Sequence, residues 1–209
     1  MEQKNKIELL GFYGDDTTHA CSAWTSTNRD LPLEKIERIP ALLKQLAEAG
    51  HHTPFEKSTL HFLMTVEQAS HIHLLKHRIG VSINGESARY KELTEDKFYL
   101  PSDWPVELQY LLSEHCLECF EKYHDTLEEL CKNGYSRKRA KESARFFLPY
   151  ASQIQLDVTF NWRSFYHFLS LRMESNAQKE ICDLATEMLN LIKNLPEKPF
   201  QHTIEAFNL

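Results

Sequence analysis

The pattern of apolar and polar positions predicts three strands along the chain. Residues 58–66 (STLHFLMTV) and 153–160 (QIQLDVTF) alternate, which is typical of strands with one buried face. Residues 6–13 (KIELLGFY) are mostly apolar and predict a first strand near the N-terminus. All three segments are short, so they predict a small sheet.

Apolar positions spaced three and four residues apart predict helices between these strands. Residues 31–50 form one such segment, which stops at Gly50, and residues 67–79 form another. A long amphipathic helix is predicted over residues 105–132, with Pro105 at its first position, where a backbone N–H is not needed.

Polar residues at helix ends locate the remaining helices. Ser136 is a predicted N-cap for a shorter helix that runs toward Pro149, and Asn161 is a natural N-cap directly after the last strand. Asn176 is the predicted N-cap of the final helix. Residues 90–104 mix charges, aromatic residues and a proline, and therefore predict a loop.

Together these elements predict an α+β fold, with a small, mostly antiparallel sheet in a helix-rich single domain that spans residues 1–209. No internal repeat, low-complexity tract or linker divides the chain. A chain of this length buries about 70% of the surface that its unfolded form exposes, so its core needs neither a disulfide nor a metal.

The charge balance argues against a general nucleic-acid binder. The chain has 24 Lys and Arg against 30 Asp and Glu, a net charge of −6, whereas nucleic-acid binders carry a basic face and a high pI. A small anionic ligand in a local basic pocket remains compatible with this balance. No apolar run approaches the roughly 18 residues of a membrane span, so we expect no membrane partner.

Five cysteines and a polar N-terminal stretch predict a reducing, cytoplasmic location. Cys116 and Cys119 form a single CxxC, which is half of a common zinc motif. No second CxxC or HxxxH accompanies it, so two small apolar thiols on a helix are the favoured interpretation, and no metal is predicted.

Residues 76–90 (KHRIGVSINGESARY) concentrate positive charge and small polar residues. His73, Lys76 and His77 share one face if this region is helical. The following loop offers backbone N–H groups and hydroxyls, and Arg89 adds a planar fork suited to phosphate. Two interpretations stay open here: a phosphate cradle and a solvated basic turn.

Arginines in two later segments need partners. Arg145 lies among apolar residues in SARFFLPY, and Arg172 lies on the mostly apolar segment FNWRSFYHFLSLRMES. An unpaired buried charge is very costly, so each requires either an internal carboxylate or an anionic ligand. Glu142 and Glu174 are the internal candidates for Arg172.

Four ordered motifs resemble those of the flavin-dependent thymidylate synthases. They are HHTPFE, KHR…SINGESARYKEL, ARFFLP and FNWRSFYHFLSLRMESNAQKEI, and the resemblance extends over about residues 24–185. Lys76 replaces the usual first arginine of a triplet, His73 stands where a glutamine is common, and His167 where an asparagine is common. One extra residue separates Arg78 from the signature serine, Ser87.

The resemblance implies an enzyme that methylates dUMP at C5 to give dTMP. Methylenetetrahydrofolate is the implied carbon donor and NADPH the implied reductant, acting through FAD, with no attack by an enzyme cysteine on the pyrimidine. It also implies a homotetramer with sites shared between chains. The alternatives are a related methyltransferase for another pyrimidine nucleotide and a non-catalytic nucleotide-binding module.

The resemblance also assigns site residues by motif position. Arg172 is the implied catalytic residue, near the uracil carbonyl. The implied dUMP-binding residues are His73, Leu74, Leu75, Lys76, Glu86, Ser87, Ala88, Arg89, Arg145 and Arg172. The implied FAD-binding residues are His51, Thr53, Lys76, His77, Arg78, Glu86, Asn161, Trp162, Arg163 and His167.

Overall fold

A computed structural model describes residues 4–28, 30, 32–87, 89 and 91–209, and for Leu33 only the backbone. Helices dominate the described residues, and four strands form one small antiparallel sheet. This confirms the predicted α+β fold class. None of the described helices is both long and apolar enough to cross a membrane.

The sheet has the strand order β1-β2-β4-β3. Its strands are β1 (Lys6–Tyr13), β2 (Thr59–Glu67), β3 (Val81–Gly85) and β4 (Gln153–Phe160). Three of these were predicted from the sequence, β2 and β4 from alternation and β1 from a mostly apolar segment. The prediction of a loop over residues 81–85 was wrong, because Val81 and Ile83 alternate with polar residues and the segment pairs with β4 as an edge strand.

Nine α-helices lie in the described residues. They are α1 (Asp16–Trp24), α2 (Leu33–Ile36), α3 (Ile39–Glu48), α4 (Gln68–Leu74), α5 (Val106–Lys132), α6 (Arg137–Ala144), α7 (Trp162–Arg172), α8 (Lys179–Lys193) and α9 (Gln201–Ala206). Short 3₁₀ turns occupy Thr53–Lys57 and Arg145–Phe147. The predicted caps are confirmed at Ser136, which accepts from the N–H of Arg139, and at Asn161, which accepts from the N–H of Ser164.

Several predicted helix boundaries were wrong. The single helix predicted within residues 31–50 is two helices, α2 and α3, because Pro40 lacks an N–H and its ring excludes a regular turn from Ile36. The helix predicted over 67–79 ends at Leu74, before the chain enters β3. Asn176 lies in a turn, and α8 begins only after Gln178.

Two helices were missed, α1 and α9. Helix α1 has few apolar positions, and its start depends on Asp15, whose Oδ1 accepts a hydrogen bond from the N–H of Thr18 at 2.6 Å. Helix α9 has only six residues, too few for a periodic pattern. Pro105 is the N-cap of α5, so the helix begins at Val106, one residue later than predicted.

The chain divides into two compact units. Unit 1 comprises the N-terminal residues through Lys6, Met64–Leu74 and Asn84–Leu156. Its core lies between α5 and α6, where Tyr123 and Leu127 pack with Ala140 and Ala144. Unit 1 is therefore stabilised largely by apolar contacts between these two helices.

Unit 2 comprises Ile7–Leu63, Leu75–Ile83 and Asp157–Leu209. Its core is aromatic, and Trp162 is fully buried and stacks on Phe200 with ring centroids 5.1 Å apart. Unit 2 is assembled from separated segments, so its aromatic core depends on long-range contacts such as those of Trp162 with His19 and of Phe207 with Phe55.

Candidate functional site

Arg172, the last residue of α7, contacts the ring of His77 in unit 2. Its Nε donates a hydrogen bond to Nε2 of His77 at 3.0 Å. His77 is 8% exposed, and its ring meets Phe168 edge-on at 5.1 Å between centroids. Because Nε2 accepts, the ring in this arrangement is neutral and carries its proton on Nδ1. The neutral ring therefore orients the guanidinium.

The segment that follows the triplet of Lys76, His77 and Arg78 is attached to the start of α7. The N–H of Asn161 donates to the carbonyl of Gly80 at 3.1 Å, and Oγ of Ser164 donates to the carbonyl of Ile79 at 2.6 Å. Gly80 has a φ of +64°, and a Cβ there would lie 2.3 Å from both Nδ2 of Asn161 and Oγ of Ser164. Only glycine allows this approach.

The turn Thr53–Lys57, which follows His51 and His52, is anchored in unit 2. Phe55 is fully buried, whereas His51 and Thr53 remain exposed. Glu56 of the same turn accepts a hydrogen bond from Nη1 of Arg163 at 2.5 Å. The structure thus fixes the turn beside the first turn of α7.

Most residues assigned to FAD lie in unit 2, and several are exposed. Lys76, Arg78 and His167 are exposed, and the His167 ring lies 6.1 Å from that of His77. The side chain of Trp162 is fully buried in the core, so only its main chain remains for a ligand. Lys76 and His77 follow α4 instead of sharing a helix face with His73, which corrects the sequence prediction.

Three of the ten residues assigned to the nucleotide line a cavity of about 330 Å³ in unit 1. Glu86, Ser87 and Arg145 line it. The carboxylate of Glu86 accepts from the N–H of Gln155 at 3.2 Å and pairs with Nζ of Lys91 at 2.5 Å. Glu86 is therefore held by its neighbours and adds negative charge to the cavity wall.

The predicted phosphate cradle is not a free loop. Residues 81–85 belong to β3, and the N–H of Glu86 donates to the carbonyl of Gln155 at 2.8 Å. Arg89 donates from Nε to Glu142 at 2.6 Å, and this bond holds the pKa of Glu142 below its usual value. Glu142 is therefore paired with Arg89, whereas His77 is the observed partner of Arg172. Ala88 lies outside the described residues.

The residues of α4 that line the cavity are not the ones that were predicted to bind the nucleotide. His73 is half-buried and Leu74 is fully buried, and neither lines the cavity. Gln68 and His71 of the same helix do line it, and burial lowers the pKa of His71. Their spacing of three residues places them on one helix face, a signal that was available in the sequence.

Leu75 follows α4 and is 45% exposed. Ser152, which also lines the cavity, was missed as well. Its sequence context gives no signal, because its role depends on tertiary placement.

The CxxC of α5, Cys116 and Cys119, belongs to no metal-binding group in the described residues. Cys116 is fully buried, and burial raises the pKa of its thiol to about 11. Sγ of Cys119 lies 3.6 Å from Nε2 of His115. In the described part of the chain, no group of three or more His, Cys, Asp or Glu is arranged to hold a metal ion.

A sequence model of the thymidylate synthase complementing protein family matches residues 8–197. A flavin-dependent thymidylate synthase of Pseudothermotoga lettingae is 33% identical, over 90% of this chain and 85% of the relative. A second one, of Thermosipho africanus, is 32% identical over 98% of this chain and 91% of the relative.

A solved structure shows the same fold. It is the UMP/dUMP methylase PolB of Streptomyces cacaoi, bound with 5-Br dUMP. The two share a TM-score of 0.81 and 25% identity, over 99% of this chain and 96% of that chain.

Proposed function

Because the chain belongs to the thymidylate synthase complementing protein family, we propose that it methylates dUMP at C5 to give dTMP in a flavin-dependent reaction. It is an enzyme of the flavin-dependent thymidylate synthase type. In the proposed reaction methylenetetrahydrofolate supplies the carbon, and NADPH supplies the reducing equivalents through FAD. Curated relatives of this name support the proposal over most of the chain.

The observation that carries the proposal is the hydrogen bond from Arg172 to His77. It joins two motifs that lie 95 residues apart in sequence. Only Nε of Arg172 is engaged, and within the described part of the chain its Nη groups have no protein acceptor. The two Nη groups at the end of α7 suit a uracil carbonyl, and the charge of the guanidinium favours negative charge on the ring.

The donors in unit 2 fit FAD. Lys76 and Arg78 are exposed cations on a short segment, and Thr53 adds an exposed hydroxyl. The amide of Asn161 uses its Oδ1 for the helix cap, which leaves Nδ2 as a donor. Cations, a hydroxyl and an amide are the groups that hold a pyrophosphate. When bound, FAD supplies the hydride, and these residues bind and orient it.

The cavity of unit 1 fits the nucleotide. Arg145 is an exposed cation on its lining, and Ser87 contributes a hydroxyl. An arginine fork binds a phosphate through parallel N–H donors. The apolar lining, which includes Ile72 and Leu148, suits an uncharged ring. In this proposal Arg145 holds the phosphate and the chain positions the base without a covalent bond.

Activation without a cysteine nucleophile follows from the proposed roles. Cys116 is buried and its thiol is protonated at neutral pH, since burial raises its pKa to about 11. A thiolate is the reactive form of cysteine. In this proposal the pyrimidine is activated by the guanidinium of Arg172 and by positioning, without a cysteine nucleophile.

The assembly and location belong to the same proposal. We propose a homotetramer with sites shared between chains, in a cytoplasmic setting that suits five free cysteines. Ile79 and Phe146 are 86% and 82% exposed in the single chain, which supports further contacts between copies. Light scattering on the purified protein measures the assembly, and a monomer at micromolar concentration contradicts it.

UMP is the second candidate substrate. The structural relative acts on both UMP and dUMP by its description, and this chain departs from the usual motif residues at His73, Lys76 and His167. These departures concern residues assigned to ligand contacts.

Turnover tests both candidates. The protein is incubated with FAD, NADPH and methylenetetrahydrofolate, and with dUMP, UMP or dCMP in parallel. Thymidylate formation with dUMP is the expected result. Product from UMP alone assigns the second candidate, and no product from any nucleotide by a folded, flavin-loaded protein contradicts the proposed function.

A further inference from the structure

Ser152 has a buried hydroxyl that no described residue satisfies. It lies directly before β4 and is 2% exposed, and its Oγ has no hydrogen-bond partner among the residues that the structure describes. Its main chain is satisfied, because its N–H donates to the carbonyl of Pro149 at 3.0 Å and its carbonyl accepts from the N–H of Gln68 at 3.2 Å. An unpaired buried hydroxyl costs free energy, so this group indicates a missing partner.

The same residue lines the cavity of unit 1. Ser87 and Arg145, both assigned to the nucleotide by motif, line that cavity too. The cavity volume is about 330 Å³, which is within the range of small-molecule sites. A molecule bound there lies against the residues of this lining, which include Ser152.

The charges on the cavity wall decide which part of a nucleotide lies near Ser152. Arg145 is the cation of the described lining, because burial lowers the pKa of His71 and keeps its ring neutral. The carboxylate of Glu86, which pairs with Nζ of Lys91, offers phosphate no attraction. Arg145 is exposed and Ser152 is buried, so the phosphate lies near Arg145, where water remains, and the uncharged part enters the buried side.

We propose that the Ser152 hydroxyl is a further nucleotide-binding group, which forms a hydrogen bond with the uncharged part of a uridine nucleotide. The partner is a sugar hydroxyl or a uracil carbonyl, each of which pairs with a serine hydroxyl. This inference rests on the proposed function, since that function places the nucleotide in the cavity.

The test compares Ser152→Ala with Ser102→Ala, which removes an exposed hydroxyl from a turn outside the cavity lining. Both variants and the wild type are loaded with FAD and titrated by calorimetry with dUMP, 2-deoxyribose 5-phosphate and inorganic phosphate. Ser152→Ala is expected to weaken dUMP binding about 3- to 10-fold, the size of one neutral hydrogen bond. Phosphate binding should not change.

The sugar phosphate identifies the contact. Weaker binding of 2-deoxyribose 5-phosphate to Ser152→Ala assigns the sugar, and unchanged binding assigns the uracil. The melting temperature without nucleotide should stay the same or rise, because the variant removes an unpaired hydroxyl.

Two results overturn the inference. One is dUMP affinity within twofold of the wild type. The other is a variant that melts markedly lower or does not fold, because the hydroxyl then has a partner within the protein. If wild type and Ser102→Ala bind no uridine nucleotide, the proposed function itself fails.

Discussion

The guanidinium of Arg172 is held by the ring of His77, with 3.0 Å between Nε and Nε2. Arg172 lies in the last turn of α7, and His77 lies between Lys76 and Arg78. The neutral ring of His77 orients the half-exposed guanidinium of Arg172. Because the ring carries no negative charge, this bond does not neutralise the positive charge of Arg172. A cation arranged in this way is suited to an anionic or polarised ligand.

We expect Arg172→Ala to abolish most methylation while the protein stays folded. The hydrogen bond to His77 contributes about 1 kcal/mol to stability, whereas truncation of a ligand-paired charge costs about 2–5 kcal/mol in binding. Arg172→Lys should restore little, since an ammonium lacks the fork. Turnover and thermal melts with and without dUMP measure both effects, and Arg38→Ala, at an exposed position, is the control.

A strongly destabilised Arg172→Ala whose folded fraction turns over normally contradicts the catalytic assignment. The hydrogen bond to His77 would then be structural only.

FAD binding should weaken as salt concentration rises. Lys76 and Arg78 are exposed, and salt screens exposed charges over about 8 Å at physiological ionic strength. Fluorescence titration of FAD at several salt concentrations measures the slope. Lys76→Ala should weaken binding and flatten the slope, whereas Lys132→Ala, a lysine at the end of α5, should leave both unchanged. Absence of saturable flavin binding in the wild type argues against the cofactor assignment.

None of the five cysteines should be required for catalysis. A variant with Cys116→Ala and the other four changed to Ser avoids burying a hydroxyl at the fully buried position. It should release tritium from dUMP labelled at C5 at a rate close to that of wild type. Loss of release in a folded variant, restored by returning one cysteine, points to covalent catalysis instead.

Gly80→Ala should damage the fold and flavin binding more than Gly134→Ala does. Both glycines have positive φ, +64° and +86°, so each alanine is strained by about 1–2 kcal/mol. Only at Gly80 would the new Cβ also collide with Asn161 and Ser164, at 2.3 Å from each. Chemical denaturation measures the free energy of unfolding of both variants, and FAD titration measures their flavin affinity. The difference between the variants reports the collision, because the backbone strain is common to both. Equal effects contradict the importance of this close approach.

Stability should decrease as the pH falls below 6.5 because of His19. The ring is fully buried between Oγ1 of Thr203 and Oγ of Ser58, at 2.9 and 2.8 Å, and burial lowers its pKa from 6.5 to about 4. The unfolded chain therefore takes up a proton first as the pH falls. The contribution is complete above pH 6.5 and is lost progressively down to about pH 4. A shift of this size corresponds to about 3 kcal/mol.

Denaturant titrations between pH 4 and 7 measure this dependence. His19→Gln should flatten it, because an amide does not titrate, whereas His115→Gln, at an exposed position of α5, should not. Asp16 acts in the opposite direction at the acidic end, since burial raises its pKa and its protonation then favours the folded state. If the free energy of unfolding of His19→Gln depends on pH as that of the wild type does, other groups cause the pH dependence.

Local signals in the sequence determined most of the secondary structure and the family. Alternation predicted β2 and β4, a mostly apolar segment predicted β1, and side-chain caps at Ser136 and Asn161 predicted α6 and α7. These signals work because a cap or a period depends on neighbours within a few residues. Four short motifs, each local, were sufficient to indicate the family, which the comparisons confirm.

Tertiary structure alone decided the partners and the burial. The chain leaves α4 at Leu74 although the apolar pattern continues, because residues 81–85 pair with β4. The partner of Arg172 in the described structure is His77 and not a carboxylate. Ser152, whose hydroxyl has no partner among the described residues, lines a cavity together with Arg145. Such contacts join residues far apart in sequence, so periodicity and propensity carry no information about them until the strands and helices pack.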